Sequence, residues 1–351
     1  MKKFFVFIVV IALVAAGGWF LWLMPQIDAL SAKGNRPGSS SLIIARGENS
    51  KQVAQQLQTA GYIKDYRLLY YWSRYLKVGA PKEGEYEIEA ALSVLDMLNK
   101  FHRGEVVLHE IGFPEGLTYK EIAKRIDGNE LLSGADLIAL CEDQAFVRAH
   151  GVQGKTCEGY LYPDTYKFAR GRSAKEVVAT FIAHHNEVYA KEVQPRLAGQ
   201  AKGMSHFELL TMASIVEKET GAEADRSHIA SVYMNRLRIG MRLEADPTTI
   251  YAIMVARGSF DGNLHHADLL LDIPYNTYKR VGLPPGPICN PGARAMLAVV
   301  VPAPGNDLFF VGRNDGTTVF CPTLSCHEAA VKKWQIDYFQ KKRAAGKLKK
   351  K

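Results

Sequence analysis

Residues 205–220 read SHFELLTMASIVEKET, the most informative helix pattern in the chain. Ser205 followed by Glu208 is a capping box, which predicts that a helix begins there. At 100° per residue, one broad arc of this helix is apolar, and Glu217 falls inside that arc. A carboxyl group on an apolar face has to be paired or to have a raised pKa, and a raised pKa is what a general acid needs at neutral pH. Glu217 is therefore the candidate catalytic residue.

A structural role for Glu217 remains open, because an arginine such as Arg236 or Arg242 could pair with it. Glu219 falls at the edge of the apolar arc and is a candidate second carboxylate. The segment Asp246-Pro247-Thr248 suits the start of a later helix, with aspartate as the N-cap and proline in the first turn. That explains the aspartate structurally, although a second carboxylate near Glu217 would also fit two-carboxylate glycoside chemistry.

The second half of the chain is mostly helical in pattern. Further helices are predicted at 174–189, 228–239, 248–257 and 327–342, and a β-hairpin at 308–311 and 317–320. Between them, the loops at 275–278 and 283–288 are rich in proline, glycine and aromatic or hydrogen-bonding side chains. Such loops suit a sugar groove, but they also occur as plain structural connections.

Two similar phrases stand in the first half of the chain. A strand candidate at 42–45 leads into a glycine turn and an amphipathic helix, and a second at 106–111 leads into the same pattern. The duplicated strand–helix unit resembles LysM-like modules, which bind wall glycans; an ordinary α/β packing motif explains it equally well. The aromatic-rich segment 66–75 is expected to be core rather than a sugar-stacking surface.

Residues 4–24 contain no charge and are long enough, as a helix, to span a bilayer core of about 30 Å. Lys2 and Lys3 precede this run, which predicts a cytoplasmic N-terminus. An uncleaved membrane anchor is expected, and a cleaved signal peptide is the alternative. Residues 25–41 are polar and contain Gly, Ser and Pro, which predicts a linker.

The net charge of +8 is concentrated at the two ends of the 351-residue chain. Residues 341–351 carry seven Lys or Arg and no acid, and Lys2 and Lys3 add two more, so residues 4–340 are close to neutral. A folded nucleic-acid-binding domain needs a basic face of its own. Nucleic acid is therefore not an expected partner, and the basic tail is either a solvated end or a contact to anionic lipid or the wall.

The five cysteines leave several arrangements open. Cys141 with Cys157 and Cys321 with Cys326 are candidate disulfides by proximity, which leaves Cys289 over, while unpaired thiols are an equal alternative. No Cys/His spacing matches a zinc site and no nucleotide motif occurs, so neither a metal nor another cofactor is expected.

Several motifs follow one another in a specific order. They are Pro114-Glu115-Gly116-Leu117-Thr118, EGYLYPDTY at 158–166, ASIVEKE at 213–219, Asn235-Arg236-Leu237, GMRL at 240–243, Asp246-Pro247-Thr248, YNTY at 275–278, GLPPGPI at 282–288 and Asn290-Pro291-Gly292. In this order they resemble the endolytic murein transglycosylases of the YceG-like family, over nearly the whole chain. The resemblance implies an α+β protein with an N-terminal transmembrane helix, a small LysM-like α/β module and a larger, mixed, helix-rich catalytic domain.

The resemblance also implies a function. It implies a membrane-anchored lytic transglycosylase, a lyase, that cuts the MurNAc–GlcNAc bond within nascent peptidoglycan strands, leaves 1,6-anhydro-MurNAc ends and so terminates elongation. The family's catalytic glutamate corresponds to Glu217. Substrate-binding roles are expected for Glu158, Asp164, Asn235, Glu244, Asp246, Thr248, Tyr275, Asn276, Thr277, Tyr278 and Asn290. The expected partners are peptidoglycan glycan strands, peptidoglycan synthases and, through the anchor, membrane lipid.

The chain departs from the family pattern at Glu244 and Ala245, where the family usually has Gln followed by Ser or Thr. This puts in doubt any substrate hydrogen bond made by that glutamine, and Glu244 could raise the pKa of a nearby carboxyl by like-charge repulsion. Two other functions stay open, a lysozyme-like hydrolase on the same scaffold and a non-enzymatic glycan-binding scaffold.

The expected organisation follows from these features. Residues 1–3 are expected in the cytoplasm, a transmembrane helix at 4–24, a linker at 25–41, a LysM-like module at 42–105, a catalytic domain at 106–340 in the periplasm or otherwise outside the cytoplasm, and a basic tail at 341–351.

Overall fold

The computed structural model of the chain describes residues 2–33, 38–77, 79–197, 199–219 and 223–340. The basic tail and the last positions of the predicted helices at 205–220 and 327–342 lie outside the described residues. The chain divides into two compact units. Unit 1 comprises Met1–Glu110 and Lys167–Arg172, and unit 2 comprises Ile111–Tyr166 and Ser173–Lys351.

Unit 1 is built on a β–α–α–β arrangement. Its elements are α1 (Lys2–Ser31), β1 (Ser40–Ile44), α2 (Ser50–Thr59), α3 (Tyr66–Tyr75), β2 (Gly84–Ile88) and α4 (Val94–Arg103). The strands β1 and β2 are antiparallel, with Leu42 opposite Tyr86. Alternate side chains of both strands are buried, because successive residues of a strand point to opposite faces. The helices α2, α3 and α4 supply most of the rest of this core.

The helix α1 continues further than the sequence suggests. It runs through Pro25 to Ser31, so residues 25–31 of the predicted linker at 25–41 are helical. Leu30, in the last turn, is only 6% exposed and belongs to the core of unit 1. The helix contains one stretch, Leu13–Ser31, that is long and apolar enough to cross a membrane by length and composition, a test that a signal sequence also passes.

The aromatic segment forms α3 over the predicted residues, but it is only partly core. Leu69 is buried and Trp72 packs against the core, whereas Tyr71 and Tyr75 are 67% and 75% exposed. The core-facing side of α3 therefore explains part of the aromatic pattern, and two tyrosines lie on the surface.

The chain passes between the units within β3 (Leu108–Gly112) and β4 (Thr165–Ala169), which form a second two-stranded sheet. Both predicted strand–helix phrases are present, as β1 with α2 and as β3 with the following helix. That helix starts at a capping box formed by Thr118 and Glu121, and α2 starts at one formed by Asn49 and Gln52.

Unit 2 is mostly helical. Its helices are α5 (Tyr119–Ile126), α6 (Gly134–Glu142), α7 (Gln144–Ala149), α8 (Ala174–Val188), α9 (His206–Glu219), α10 (Arg226–Arg238), α11 (Asp246–Arg257), α12 (His266–Leu269), α13 (Ala293–Val300) and α14 (Leu324–Val331). The centre of this unit is α9, which packs against α10, α11 and α13. Every side chain from Leu209 to Val216 is buried. This part of α9 is therefore buried on all sides, whereas the sequence predicted one apolar and one polar face. The mixed α+β class predicted from the sequence is present.

A hairpin of β5 (Phe309–Gly312) and β6 (Thr318–Cys321) forms the third sheet, close to its predicted position. A disulfide joins Cys321 to Cys326 of α14, as one of the two candidate pairings predicts. The other candidate is wrong in this structure, because Cys141 and Cys157 are buried free thiols, like Cys289.

Candidate active site

Glu217 lies in the last turn of α9 and is almost enclosed, with 8% of its side chain exposed. Its Oε1 accepts a hydrogen bond from Nη2 of Arg226, at 3.4 Å, in the first turn of α10. Its Oε2 accepts the main-chain N–H of Gly292 at 3.2 Å. Gly292 is the N-cap of α13, so the carboxyl group sits where a helix presents unpaired N–H groups to an anion. The predicted arginine partner is thus present, but it is Arg226, and not Arg236 or Arg242.

The electrostatics of Glu217 are balanced between opposing effects. Burial raises its pKa above the ordinary value, and the charge of Arg226 and the N–H of Gly292 oppose that rise. A second carboxylate, Glu115, raises the pKa further by like-charge repulsion. Glu244, which the sequence suggested could raise the pKa of a nearby carboxyl, forms ion pairs with Arg236 and Arg242 at 3.8 and 3.6 Å.

The loop around Gly116 covers Glu217. A Cβ on Gly116 would contact Cγ of Glu217 at 3.7 Å, and its φ of +80° is one that L side chains rarely adopt. The loop is fixed by hydrogen bonds from the Gly116 N–H to the Asn290 carbonyl and from Nζ of Lys218 to the Gly116 carbonyl. Three distant motifs of the sequence therefore meet at one carboxyl group.

Glu158 and Asn290 lie beneath this loop. Both are buried, and Oε1 of Glu158 accepts hydrogen bonds from the Asn290 side chain and from the Tyr119 N–H. The hydroxyl of Tyr251 donates to Oε2. Burial raises the pKa of Glu158 to about 8. Through these hydrogen bonds Glu158 and Asn290 join α5, α11 and the loop at 290, and their predicted substrate contacts stay a prediction.

A separate polar cleft of about 310 Å³ opens beside Glu219. Two residues along a helix are about 200° apart around its axis, so Glu217 and Glu219 face opposite sides of α9. The cleft is lined by Glu219, Tyr233, Arg236, Leu243, Glu244, Asp246, Tyr278, Phe309, Phe310, Leu324 and His327. Four of the predicted site residues, Glu219, Glu244, Asp246 and Tyr278, are brought together here.

Two carboxylate–tyrosine pairs characterise this cleft. The hydroxyl of Tyr233 donates to Glu219 at 3.0 Å, and that of Tyr278 donates to Asp246 at 2.6 Å. Burial raises the pKa of Glu219 to about 7, and the negative charge of Asp246 adds to the rise. Asp246 is the first residue of α11, whose N-cap is Ala245, so the predicted N-cap role is wrong. Its carboxylate lines the cleft instead.

Two other residues of the 275–278 loop form a buried hydrogen-bond network with Thr248 and Thr249 of α11. Asn276, Thr277 and Thr248 are fully enclosed. The hydroxyls of Thr248 and Thr277 bond to each other at 2.8 Å, and the Asn276 side chain bonds to Thr249 and to the carbonyls of Leu269 and Leu271. They hold the loop in shape, which leaves Tyr278 in place at the cleft, and they take no direct part in lining it.

Three predicted site residues lie elsewhere. Asn235 is buried and donates to the carbonyls of Gly305 and Asp307. Asp164 is exposed, 3.6 Å from His184. Tyr275 packs against Tyr251. The structure thus brings these three neither to Glu217 nor into the lining of the cleft.

Several residues around Glu217 and in the cleft beside Glu219 were not predicted from the sequence. Around Glu217 these are Arg226, Gly292 and Glu115, and in the cleft they are Tyr233, Phe309, Phe310 and His327. Glu115 and Gly292 stand inside motifs that the sequence singled out, so their positions were available as a signal. Phe309 and Phe310 come from a hairpin and His327 from α14, neither of which carries a motif singled out from the sequence, whereas Tyr233 lies on α10 two residues before the motif at 235–237.

Within the described residues, no group of three or more His, Cys, Asp or Glu side chains could hold a metal ion.

Comparison with known proteins identifies the family. The model of the YceG-like family matches residues 42–333. The chain belongs to the YceG-like family. The endolytic murein transglycosylase of Bacillus subtilis (strain 168) is 29% identical over 337 residues, covering 91% of this chain and 90% of that protein. The enzyme of the same name from Streptococcus pneumoniae serotype 2 is 28% identical and covers 87% of this chain, which spans 60% of that protein.

A YceG-like crystal structure from Listeria monocytogenes has a TM-score of 0.56 and 31% identity, covering 83% of this chain and 98% of that one. The predicted family is confirmed. The names of its relatives agree with the predicted enzyme class, a lytic transglycosylase acting on murein.

Proposed function

We propose that this YceG-like protein is a peptidoglycan lytic transglycosylase in which Glu217 is the acid and then the base. The observation that carries the proposal is the setting of Glu217, an enclosed carboxyl with a raised pKa whose second oxygen meets the N-terminus of α13. A raised pKa supports proton donation at neutral pH, and the N–H and Arg226 support the carboxylate that donation leaves behind. The names of the relatives support the substrate.

The proposed reaction needs one carboxyl group and no attacking water. Glu217 donates its proton to the oxygen between N-acetylmuramic acid and N-acetylglucosamine, and the C1–O bond of the muramic sugar breaks. The 6-hydroxyl of that sugar attacks C1 and closes the 1,6-anhydro ring. The proton of this hydroxyl returns to Glu217, so the enzyme ends as it began. Hydrolysis differs in needing a second group that activates water or attacks C1.

The cleft beside Glu219 is proposed to hold sugar rings of the same glycan strand. Phe309 and Phe310 offer aromatic faces, and Glu219 and Asp246 offer carboxyl oxygens to hydroxyl groups. Carboxylates beside aromatic rings suit sugars, because a pyranose has hydroxyls on its rim and apolar C–H faces. The side chains of Glu244 and Tyr278 would complete the polar rim.

Unit 1 is proposed to be a LysM-like glycan-binding module. A groove of about 810 Å³ runs between β1 and α2, lined among others by Gln52, Gln55 and Gln56. The Oε1 of Gln56 is buried and has no hydrogen-bond partner among the described residues. Amide side chains that both donate and accept suit sugar hydroxyls and acetamido groups.

The location and partners complete the proposal. The apolar α1 is proposed to be a single-pass anchor in the cell (inner) membrane, with Lys2 and Lys3 in the cytoplasm and both units outside it. There the enzyme would contact membrane lipid through α1 and cut strands as peptidoglycan synthases extend them. The disulfide between Cys321 and Cys326 supports an oxidising compartment.

A second candidate, a hydrolase, has one observation in its favour. Glu219 and Asp246 line the same cleft and interact electrostatically, which supplies the pair of carboxylates that hydrolysis uses. In this alternative the catalytic pair lies in the cleft, which is on the opposite side of α9 from Glu217.

Digestion of purified glycan strands, followed by mass spectrometry of the ends, separates the candidates. The lytic reaction gives anhydro ends that are lighter than reducing ends by one water, and Glu217→Gln should abolish them. Reducing ends would support the hydrolase, and a Glu217→Gln protein that cuts at the wild-type rate would reject the assignment of Glu217. No cleavage by wild type, with full cellular function of Glu217→Gln, would indicate a non-enzymatic scaffold.

A further inference from the structure

One face of α3 presents aromatic and basic side chains to solvent. Tyr71 and Tyr75 are 67% and 75% exposed, and Arg67 and Arg74 are exposed beside them. Positions three and four apart lie next to one another on a helix, so these four side chains share one face, opposite the buried Leu69. We call this face the α3 surface. No acidic residue occurs within α3.

Tyrosines beside arginines suit the headgroup layer of a bilayer. A tyrosine ring is apolar while its hydroxyl prefers water, and such rings concentrate at the boundary between lipid and water. Arginine side chains lay their apolar stems along that boundary and keep their charge among the headgroups. Sugars also stack on tyrosine rings, so the residue types alone leave a glycan as an alternative occupant. The distribution of charge decides between the two.

The positive charge of unit 1 is concentrated around α3. Residues 40–82 carry seven Lys or Arg and two Asp or Glu, whereas residues 83–110 carry two Lys or Arg and seven Asp or Glu. Four of the first seven basic residues lie in α3 or within two residues of its ends, and they are Lys64, Arg67, Arg74 and Lys77. An anionic surface attracts such a segment, and an uncharged sugar does not. The favoured occupant is therefore a membrane that contains anionic lipid.

The position of α3 in unit 1 places it near the end of α1. Leu30, in the last turn of α1, belongs to the core of this unit, and α1 packs against α4. Ser73 of α3 and Phe101 of α4 line one small cavity, so α4 neighbours both α1 and α3. Because packed helices lie about 8–10 Å apart, α3 is within roughly 20 Å of the end of α1. A bilayer that holds α1 is thus close to α3.

We propose that the α3 surface binds the anionic headgroups of the membrane that holds α1. Arg67 and Arg74 donate to lipid phosphates, and the rings of Tyr71 and Tyr75 enter the boundary between headgroups and acyl chains. This second contact holds unit 1 in one orientation to the bilayer, whereas α1 alone leaves the unit free to rotate about the helix axis. The inference rests on the proposed anchoring by α1 and adds a lipid-binding surface to it.

The test uses the full chain in lipid nanodiscs of two compositions, phosphatidylcholine alone and an equimolar mixture of phosphatidylcholine and phosphatidylglycerol. Hydroxyl-radical labelling, read by mass spectrometry, reports how exposed each ring is. We expect Tyr71 and Tyr75 to be labelled at least about threefold more slowly in the anionic discs, because rings that are mostly exposed become covered. Leu108, exposed in the acidic segment, should be labelled equally in both. Equal labelling of the two tyrosines in both compositions would overturn the inference.

Substitution of the two arginines tests the role of charge. Arg67→Gln combined with Arg74→Gln should weaken the contact about thirtyfold, from the usual contribution of a cation beside an anionic surface. Both tyrosines should then be labelled in anionic discs as fast as in neutral discs. Arg103→Gln is the matched control, because Arg103 is an exposed arginine of the same unit that pairs with Glu105. Protection that persists in the double variant, or that is lost equally in the control, would also overturn the inference.

A glycan occupant would give a different result. If a purified tetrasaccharide of alternating N-acetylglucosamine and N-acetylmuramic acid slows the labelling of Tyr71 and Tyr75 in neutral discs, the α3 surface binds sugar and the inference is wrong. Failure of the proposed anchoring is distinct, because the chain would then not co-purify with discs of either composition, which would remove the basis of the inference as well. Failure of the proposed reaction would show separately, as an absence of anhydro ends.

Discussion

The main-chain N–H of Gly292 donates to Oε2 of Glu217 at 3.2 Å. This one bond joins the end of α9 to the beginning of α13, across 75 residues of sequence. It stabilises the carboxylate form, and it therefore works against the burial that favours the protonated form. The protonation of Glu217 depends on a main-chain group that most substitutions would leave in place.

Proline at position 292 would delete that donor, and alanine would keep it. The φ of −81° at Gly292 is compatible with either residue. A Cβ would meet the Glu115 carboxylate in both variants, so that clash is common to the pair, whereas the proline ring carbon that replaces the N–H is present in one variant only. We expect the pKa of Glu217 to be higher in Gly292→Pro than in Gly292→Ala. The alkaline limb of kcat against pH should move upward in Gly292→Pro only, and coincident profiles would contradict this role.

Substitution of the two glutamates at the end of α9 should affect different kinetic constants. Glu217→Gln removes the proton donor, and we expect kcat to fall by about 10²–10⁴, the usual contribution of general acid–base catalysis. Glu219→Gln alters the cleft wall and should mainly raise KM, with anhydro ends still formed. Steady-state kinetics on glycan strands measure both. Glu187→Gln, which affects only an exposed pair with Lys191, is the control and should match wild type.

Glu158 predicts a dependence of stability on pH. Its pKa is about 8 in the folded protein, above the unfolded value of about 4.3. Between these values the folded state holds a proton that the unfolded state releases, so stability falls as pH rises, by up to about 1.4 kcal/mol per pH unit. Glutamine can accept from Tyr119 and Asn290 and donate to Tyr251, so Glu158→Gln should fold. Urea melts at pH 5 to 8 should show a weaker decline for Glu158→Gln, and parallel curves would refute the assignment.

Reduction of the Cys321–Cys326 disulfide should loosen one wall of the cleft. Leu324 and His327, on either side of Cys326, line it. Closing a loop of this length contributes about 2 kcal/mol in the chain-entropy model. We expect dithiothreitol to lower Tm and raise KM of the wild type. The double variant Cys321→Ser, Cys326→Ser should show both changes without reductant and no further response to it; a response would point to another thiol.

Leu30 should contribute to the stability of unit 1 although it lies on α1. Its burial in the core of that unit predicts a loss of about 2 kcal/mol in Leu30→Ala, at the lower end of leucine-to-alanine substitutions. Ala29→Ser, one position away on an exposed part of the helix, is the control. Denaturant melts in detergent would measure the difference, and equal midpoints would show that the helix end does not pack there in solution.

The sequence predicted local structure well, because its signals are local. The helix boundary near Ser205, the hairpin at 308–320 and the strand–helix phrases are each set by a few neighbouring side chains. The burial of Glu217 also followed from its place on an apolar arc. The partner of Glu217 did not follow, since Arg226 and Gly292 reach it through the packing of α10 and α13.

The assignment of substrate contacts shows the other limit. Asn276, Thr277, Thr248 and Glu158 are polar residues in motifs, and from sequence they are indistinguishable from residues that line a site. The structure turns them inward, where they bond to one another, to other buried side chains such as Thr249 and Asn290, or to main-chain groups. Phe309 and Phe310, which do line the cleft, look like ordinary strand residues. Tertiary packing decides whether such a side chain points into the core or into a site, and a single sequence does not show this.

The continuity of α1 has a consequence for where the enzyme can work. Six residues, or about 9 Å of helix, separate Met24 from Leu30, and Leu30 is fixed in unit 1. With the apolar part of α1 embedded in a bilayer, only a short helical segment would separate the membrane from the core of unit 1. Its groove would sample a thin layer next to the membrane, where strands emerge from their synthases. Under the proposed anchoring, glycan far from the bilayer would be out of reach of this groove.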